Sequence, residues 1–262
     1  MNDKQTRIQK IIKERNAEFK YHGKSKDLYI LPNGNALMVF GDAFTGADGV
    51  EDPGANHNMG TKEGLGHRNL EVSSYLFDEI EKKLKVPTQQ VAVDLENDIL
   101  EAKKVTMLGK GPFTVAGVEY VSGGLEFVGR NTAWGTYLQR YPGAKQGDDL
   151  RDRNGFPFTE VSIKNDDAND PFFTREEYDA SGLATATDYN QGIQYTKEIT
   201  KFLTEIFAQH GMHLVDIKME FGKDVNGAMV LSDEISPGSL RATADGKLLN
   251  KEEIYKKLMG HK

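Results

Sequence analysis

The 262-residue chain contains no cysteine. Disulfides, thiolate nucleophiles and Cys-ligated metal centres are therefore excluded, and the cytoplasm is the expected compartment. No apolar run approaches the length needed to cross a bilayer. The opening stretch, "MNDKQTRIQKIIKERNAEFK", is charged throughout and lacks an apolar signal core. Positive charge is in deficit: the net charge is −7, which reads against general nucleic-acid binding but leaves room for a local basic pocket. Tryptophan occurs once, as Trp134, a residue type used more for packing than for chemistry. The six histidines show no HExxH-like ligand spacing, and no Ser-His-Asp arrangement is legible. A Walker loop and the spaced glycines of a dinucleotide fingerprint are also missing.

What is present describes a soluble globular chain, 38% hydrophobic, long enough for one large domain or two modest ones. Ile8, Ile11 and Ile12 recur at helical spacing. "YHGKSKDLYIL", a Pro-Asn-Gly-Asn turn and "ALMVF" read as strand, turn, strand. A polar, glycine-rich loop follows over 41–66. "NLEVSSYLFDEIEKKL" has helical period and stops before Pro87. "QQVAVDL", "ILEAKKVTML", "FTVAGVEYV" and "LEFVGRN" read as strands. "NQGIQYTKEITKFLTEIFAQHG" is the clearest helix, ending at Gly211. The sum is an α+β chain of antiparallel sheets with helices. It divides into two lobes, 1–106 and 107–262, joined near residues 100–110.

The stretch "VDIKMEFG" carries the first chemical signal. As a strand it puts Val215, Ile217, Met219 and Phe221 on one face and Asp216, Lys218 and Glu220 on the other. Taking Asn226-Gly227 as a two-residue hairpin turn places Glu220 directly opposite Asp233. Facing carboxylates repel, and a divalent cation would remove that cost; oxygen-only donors suit magnesium. A solvated charged face is the plain alternative, and the opposed second carboxylate weighs against it.

Four further stretches stand out. In "YHGKSKDLY", Lys24 and Lys26 share a face just after a glycine, an arrangement able to hold a polyphosphate. In "GRNTAWGTYLQR", Arg130 precedes a small-residue turn bearing the Thr136 hydroxyl, a phosphate seat or an ordinary strand-to-helix connection. "KNDDANDP" crowds acidic side chains, among them Asp166 and Asp170, in one loop. "DEISPGSLR" sets Arg241 shortly after Asp233.

These five stretches, in this order over Tyr21 to Arg241, resemble the SAICAR synthetase family. The family's patterns are Y-x-G-K-x-K-x-x-Y, R-N-x-x-A-G-S, K-N-D-x-x-x-D-P, V-D-x-K-x-E-F-G and D-E-x-S-P-D-x-x-R. The resemblance implies a two-lobed fold with an ATP cleft between the lobes. It implies an ATP- and Mg2+-dependent ligase of purine biosynthesis that joins L-aspartate to carboxyaminoimidazole ribonucleotide. By the same likeness Lys24 and Lys26 touch the ATP phosphates, and the adenine lies near Lys103 to Met107. Glu220 and Asp233 hold magnesium. Arg130, Thr136 and Arg241 seat the ribonucleotide phosphate. Lys218, Asp170 and Asp216 serve the reacting groups. The partners are small molecules, with a homo-oligomer as a possible assembly.

The chain also departs from the pattern. Thr136 replaces a serine, Trp134 a small residue, and Gly238 an aspartate. "RATADG" follows where Leu-Trp-Asp is usual after the arginine, and "RNLEVS" replaces N-N-Q-I-S. "GKGPFTVAGVEYVSGG" is extra and reads as a hairpin. The departures keep two rivals open: a related ligase with another acid or amine, and a non-catalytic nucleotide binder. A kinase is disfavoured because no kinase catalytic-loop motif is present.

Overall fold

The computed structural model describes residues 3–47, 50–51, 57–115, 117–165, 168 and 170–260. Helix α1 (Asp3–Glu14) is followed by strands β1 (Glu18–His22), β2 (Lys26–Ile30), β3 (Ala36–Phe40), β4 (Ala43–Ala47), β5 (Val50–Glu51) and β6 (Asn58–Thr61). Then come α2 (Leu65–Leu84), β7 (Gln90–Asp94) and β8 (Ile99–Ala102). The remaining strands are β9 (Thr106–Met107), β10 (Gly111–Val115), β11 (Val118–Ser122), β12 (Leu125–Arg130), β13 (Phe158–Ile163), β14 (His213–Lys223), β15 (Met229–Ser232), β16 (Leu240–Ala244) and β17 (Lys247–Leu248). Interspersed are α3 (Thr136–Arg140), α4 (Arg175–Ser181), α5 (Ala186–Gln209) and α6 (Lys251–Met259).

The first large sheet has the order β1-β2-β3-β8-β7, antiparallel throughout. Its pleat sorts the apolar residues between two helices. Ala36, Phe40 and Leu100 pack with Leu70 of α2. Leu37 and Ile99 pack on the other face with Ile8 and Ile11 of α1, which accounts for the isoleucine spacing of the opening segment.

The second sheet runs β13-β12-β14-β16-β17, with β15 and β9 also pairing to β14. The long helix α5 covers its apolar face. A Cβ on Gly129 would come within 2.1 Å of Thr200 Oγ1, and one on Gly192 within 2.5 Å of the Phe127 ring. Ile217, Met219 and Phe221 lie in this core, so Asp216, Lys218 and Glu220 alternate onto the opposite face as expected. The stretch over 99–108 is two strands rather than one: β8 ends in the first sheet and β9 belongs to the second. The extra segment forms the hairpin β10–β11, where Phe113 stacks on Tyr120 with ring centroids 5.3 Å apart. Helix α5 begins at Ala186, ahead of the expected Asn190, because Thr185 Oγ1 caps Asp188 N at 3.1 Å.

The β14–β15 register corrects the expectation. Asp224 N donates to Ala228 O at 3.0 Å, so the connection is a three-residue loop over 225–227, not the two-residue Asn226-Gly227 turn, and Glu220 pairs with Ser232. Asp224 sets the longer loop: its Oδ1 accepts from Asn226 N and Ala228 N, both at 2.9 Å. Gly227 supplies the left-handed residue at φ 80°, the pattern of a three-residue hairpin with a terminal bulge. The carboxylate facing Glu220 across the sheet is Glu126 of β12.

Candidate functional site

A cleft of about 460 Å³ opens between the β1–β2 loop of the first sheet and the charged face of the second. Five lysines line it: Lys24, Lys26, Lys164, Lys218 and Lys251. Lys26 Nζ donates to Asp233 Oδ1 at 2.7 Å and Glu234 Oε1 at 2.9 Å. Lys164 Nζ donates to Glu220 Oε1, and Lys218 Nζ to Glu126 Oε1, each at 2.6 Å. Each buried charge thus meets its opposite, as burial of ions requires.

Asp233 reaches this group despite the shifted register. Its own backbone lies at φ 62°, a left-handed turn just past β15, and its carbonyl accepts from Gln89 Nε2 at 2.7 Å. The turn sends the side chain toward Lys26. Burial would raise the Asp233 carboxyl, but Lys26 and Lys164 outweigh it and hold it well below the usual range. At Glu220 burial dominates; Lys164 offsets it only in part, Asp233 adds to the rise, and the carboxyl ends above its ordinary value. Burial works against the charged forms of Lys26 and Lys164, yet the carboxylates around them keep both ammonium groups charged beyond the ordinary range. Asp233 therefore does not face Glu220 across the strands as expected; a backbone turn just past β15 brings it to Lys26 instead.

Next to it is a buried arginine cluster. Asp216 Oδ2 accepts from Arg130 at 2.7 Å and Arg241 at 2.8 Å. Arg130 also donates to Thr136 Oγ1 at 3.2 Å. Glu160 holds Arg130 and Arg140 together. The three expected phosphate-seat residues thus meet, organised by Asp216, which stands between the guanidinium groups.

Other expected residues fall elsewhere. Lys103 Nζ donates to Thr88 O at 3.0 Å, and Met107 pairs with Gly222; neither lines the cleft. Asp170 Oδ1 accepts from Asn165 N at 2.9 Å and so closes its own loop, also away from the lining. Asp166 lies outside the described residues. Glu126, Glu160 and Glu234 were not singled out from the sequence, nor was Lys164 given a role. Glu126 and Lys164 stood inside quoted stretches, two residues or fewer from apolar strand positions. Their convergence depends on β12–β14 and β12–β13 pairing, which no local pattern announces.

Fold and site together define a two-sheet α+β enzyme whose cleft is built around charge-paired lysines. The family model described as SAICAR synthetase matches residues 19–258, and the chain belongs to that family. The phosphoribosylaminoimidazole-succinocarboxamide synthase of Clostridium tetani is 33% identical over 238 residues, spanning 90% of this chain and 96% of that one. The synthase of the same name from Methanocaldococcus jannaschii is 31% identical over 221 residues, covering 84% and 79% of the two chains. Among solved structures, a SAICAR synthetase (Type-2) in complex with ADP superposes with a TM-score of 0.76 at 26% identity, covering 93% of this chain and 98% of that one.

Proposed function

We propose that this chain joins L-aspartate to carboxyaminoimidazole ribonucleotide at the expense of ATP, forming the succinocarboxamide. The observation that carries the reading is the set of lysine–carboxylate pairs beside the Arg130–Asp216–Arg241 cluster. A carboxylate is a poor electrophile, so a phosphoryl group must first be placed on it. Attack by the aspartate amine then forms the C–N bond, and phosphate leaves with the electrons of the broken C–O bond. Such transfer asks the protein for positioning and charge neutralisation more than covalent help.

Lys24 and Lys26 take the ATP phosphates, and Lys218 the ribonucleotide's carboxylate. Arg130, Thr136 and Arg241 take the 5′-phosphate, with Asp216 keeping both guanidiniums in place. Glu220 and Asp233 are hard oxygen donors held close to lysines. That donor set fits Mg2+ completed by phosphate oxygens and water; among the described residues no group of three His, Cys, Asp or Glu side chains is placed to hold a metal ion without them. When bound, the cation would neutralise phosphoryl charge. Residues 1–106 would carry the nucleotide and 107–262 the other substrates, with adenine near Lys103–Met107 and Asp170 close to the amine. The ADP held by the related solved structure supports the nucleotide assignment.

The test is a stoichiometric assay. Purified protein with ATP, Mg2+, L-aspartate and the carboxyaminoimidazole nucleotide should release one ADP per amide formed. ADP release that needs a different amine or acid would replace this reading with that of a related ligase. Nucleotide binding without turnover would leave a binder.

A further inference from the structure

A second cavity, of about 430 Å³, opens where β14 begins and shares no lining residue with the cleft. Its volume is in the range of small-molecule sites. Trp134, the chain's single tryptophan, lines it, at the position where the family pattern has a small residue. Val215 adds a second apolar surface. His213, paired with Thr243 across β14 and β16, lines it too. The Nε2 atom of His213 is buried and has no hydrogen-bond partner among the described residues. Leaving such a group unsatisfied is costly, and a bound molecule would remove the cost. Burial and the nearby Arg151 guanidinium hold the imidazole below its ordinary value, so it is neutral at pH 7.

The charges at this cavity cancel. Arg151 Nε and Nη2 donate to Asp149 Oδ1 and Oδ2 at 2.9 and 2.7 Å, and the guanidinium keeps the Asp149 carboxyl at about 2. A phosphate therefore finds no free cation here, and an amine no free carboxylate. What the walls offer is an indole face for stacking and neutral groups that donate and accept: the His213 ring, the Thr243 hydroxyl and the Gln146 amide. That set matches an uncharged planar heterocycle with donors and acceptors on its edge.

The cavity also adjoins the arginine cluster through shared backbone. Val215 precedes Asp216, and its carbonyl accepts from Asn131 N at 2.8 Å and Thr132 N at 3.2 Å. Those two residues follow Arg130 directly. Gly135, next to Trp134, lies so close to Arg241 that a Cβ there would stand 3.1 Å from Nη2. A molecule pressed against Trp134 and Val215 thus bears on the segments that carry both guanidinium groups.

We infer that this cavity is a second small-molecule site, which takes a nucleobase against Trp134 and His213 and couples its occupancy to the Arg130–Asp216–Arg241 cluster. The site is independent of the ligase reading, because its test is binding and not turnover.

Trp134 is itself the reporter. Adenosine or inosine titrated into full-length protein saturated with ADP and Mg2+ should quench the tryptophan emission saturably, with Kd below about 1 mM. His213→Ala should raise that Kd about tenfold or more. Trp134→Ala, which installs a small residue, should abolish the heat of binding in calorimetric titration. Saturating adenosine should change the calorimetric Kd of the ribonucleotide about threefold or more. Both variants should keep a cooperative thermal transition, so that a lost signal is not lost folding. Absence of a saturable quench up to about 5 mM in the wild type overturns the site, whatever the variants do. Equal quenching by methyl glucoside overturns it as well, in favour of a sugar site. An undiminished quench in His213→Ala places the nucleoside elsewhere and has the same consequence. Nucleoside binding that leaves the ribonucleotide Kd unmoved overturns the coupling.

Discussion

Glu220 and Asp233 both feel the Lys164 ammonium, yet their acidities move in opposite directions. At Glu220 burial outweighs the lysines and raises the carboxyl; at Asp233 burial is outweighed by Lys26 and Lys164, and the carboxyl is lowered. An acid with a raised pKa takes up its proton at a higher pH than an ordinary glutamate, whose value is about 4.3. Protonated Glu220 offers a cation no charge. Magnesium-supported turnover should therefore fall as pH drops through a value above the ordinary glutamate range, while Asp233 is still ionised. The linked stability effects have opposite signs. Asp233 contributes stability above its usual range that is lost as pH falls through its lower folded value, whereas Glu220 favours the fold more when protonated. Expected in kcat/KM for ATP is an acid limb of one proton, and near-complete loss of turnover in Glu220→Gln, whose stability at neutral pH is retained. A profile flat down to about pH 4 would show that Glu220 does not govern metal use.

At the scale of elements, α5 and the second sheet meet without room to spare. Gly192 and Gly129 are sites of close approach, and a methyl group on Gly192 would enter the Phe127 ring. That ring is itself set edge-on against Phe221 with centroids 5.2 Å apart, so it has nowhere to retreat. Gly192→Ala should cost about 1–3 kcal/mol by overpacking, read as a lowered midpoint in urea unfolding. An unchanged midpoint would mean that helix and sheet can separate freely. Elements of this kind were legible from the chain: the α5 period, the two-faced β14 strand and the inserted hairpin all follow local rules. The β14–β15 register did not, because Asp224 binds its own loop and adds one residue to the turn. Glu126 opposite Glu220 was not legible either, since 94 positions separate the two and strand pairing over such a distance leaves no mark on local pattern. Lys24, Lys26, Lys218 and Glu220 are legible from spacing; the role of Lys164 and the Glu126 carboxylate that holds Lys218 emerge only from the fold.

On the scale of the whole molecule, the cleft is lined from both large sheets. Lys26 and Met38 come from the first, Glu126 and Lys218 from the second. The chain passes from one sheet to the other at residues 103–105, between β8 and β9. The long-range ion pairs from Lys26 to Asp233 and Glu234 cross this divide, so the sheets are joined partly through the site itself. A ligand seated there replaces or reinforces those ties and must favour the folded state by mass action. At a concentration about one hundred times Kd, ATP with Mg2+ should add about 2.7 kcal/mol, and for a chain of this size raise Tm by about 5–10 °C. Chelation of Mg2+ should remove most of that increment, because the ATP phosphates would then face Glu220 and Asp233 without a cation between them. Lys26→Ala should lose the increment and also lower the ligand-free Tm, since it leaves the buried Glu234 and the half-buried Asp233 without their ammonium partner. Scanning fluorimetry with ATP, with ATP and Mg2+, and with ATP and chelator distinguishes these arms. Equal stabilisation with and without Mg2+ would mean that the lysines alone carry the triphosphate and that the two carboxylates serve only to hold the lysines.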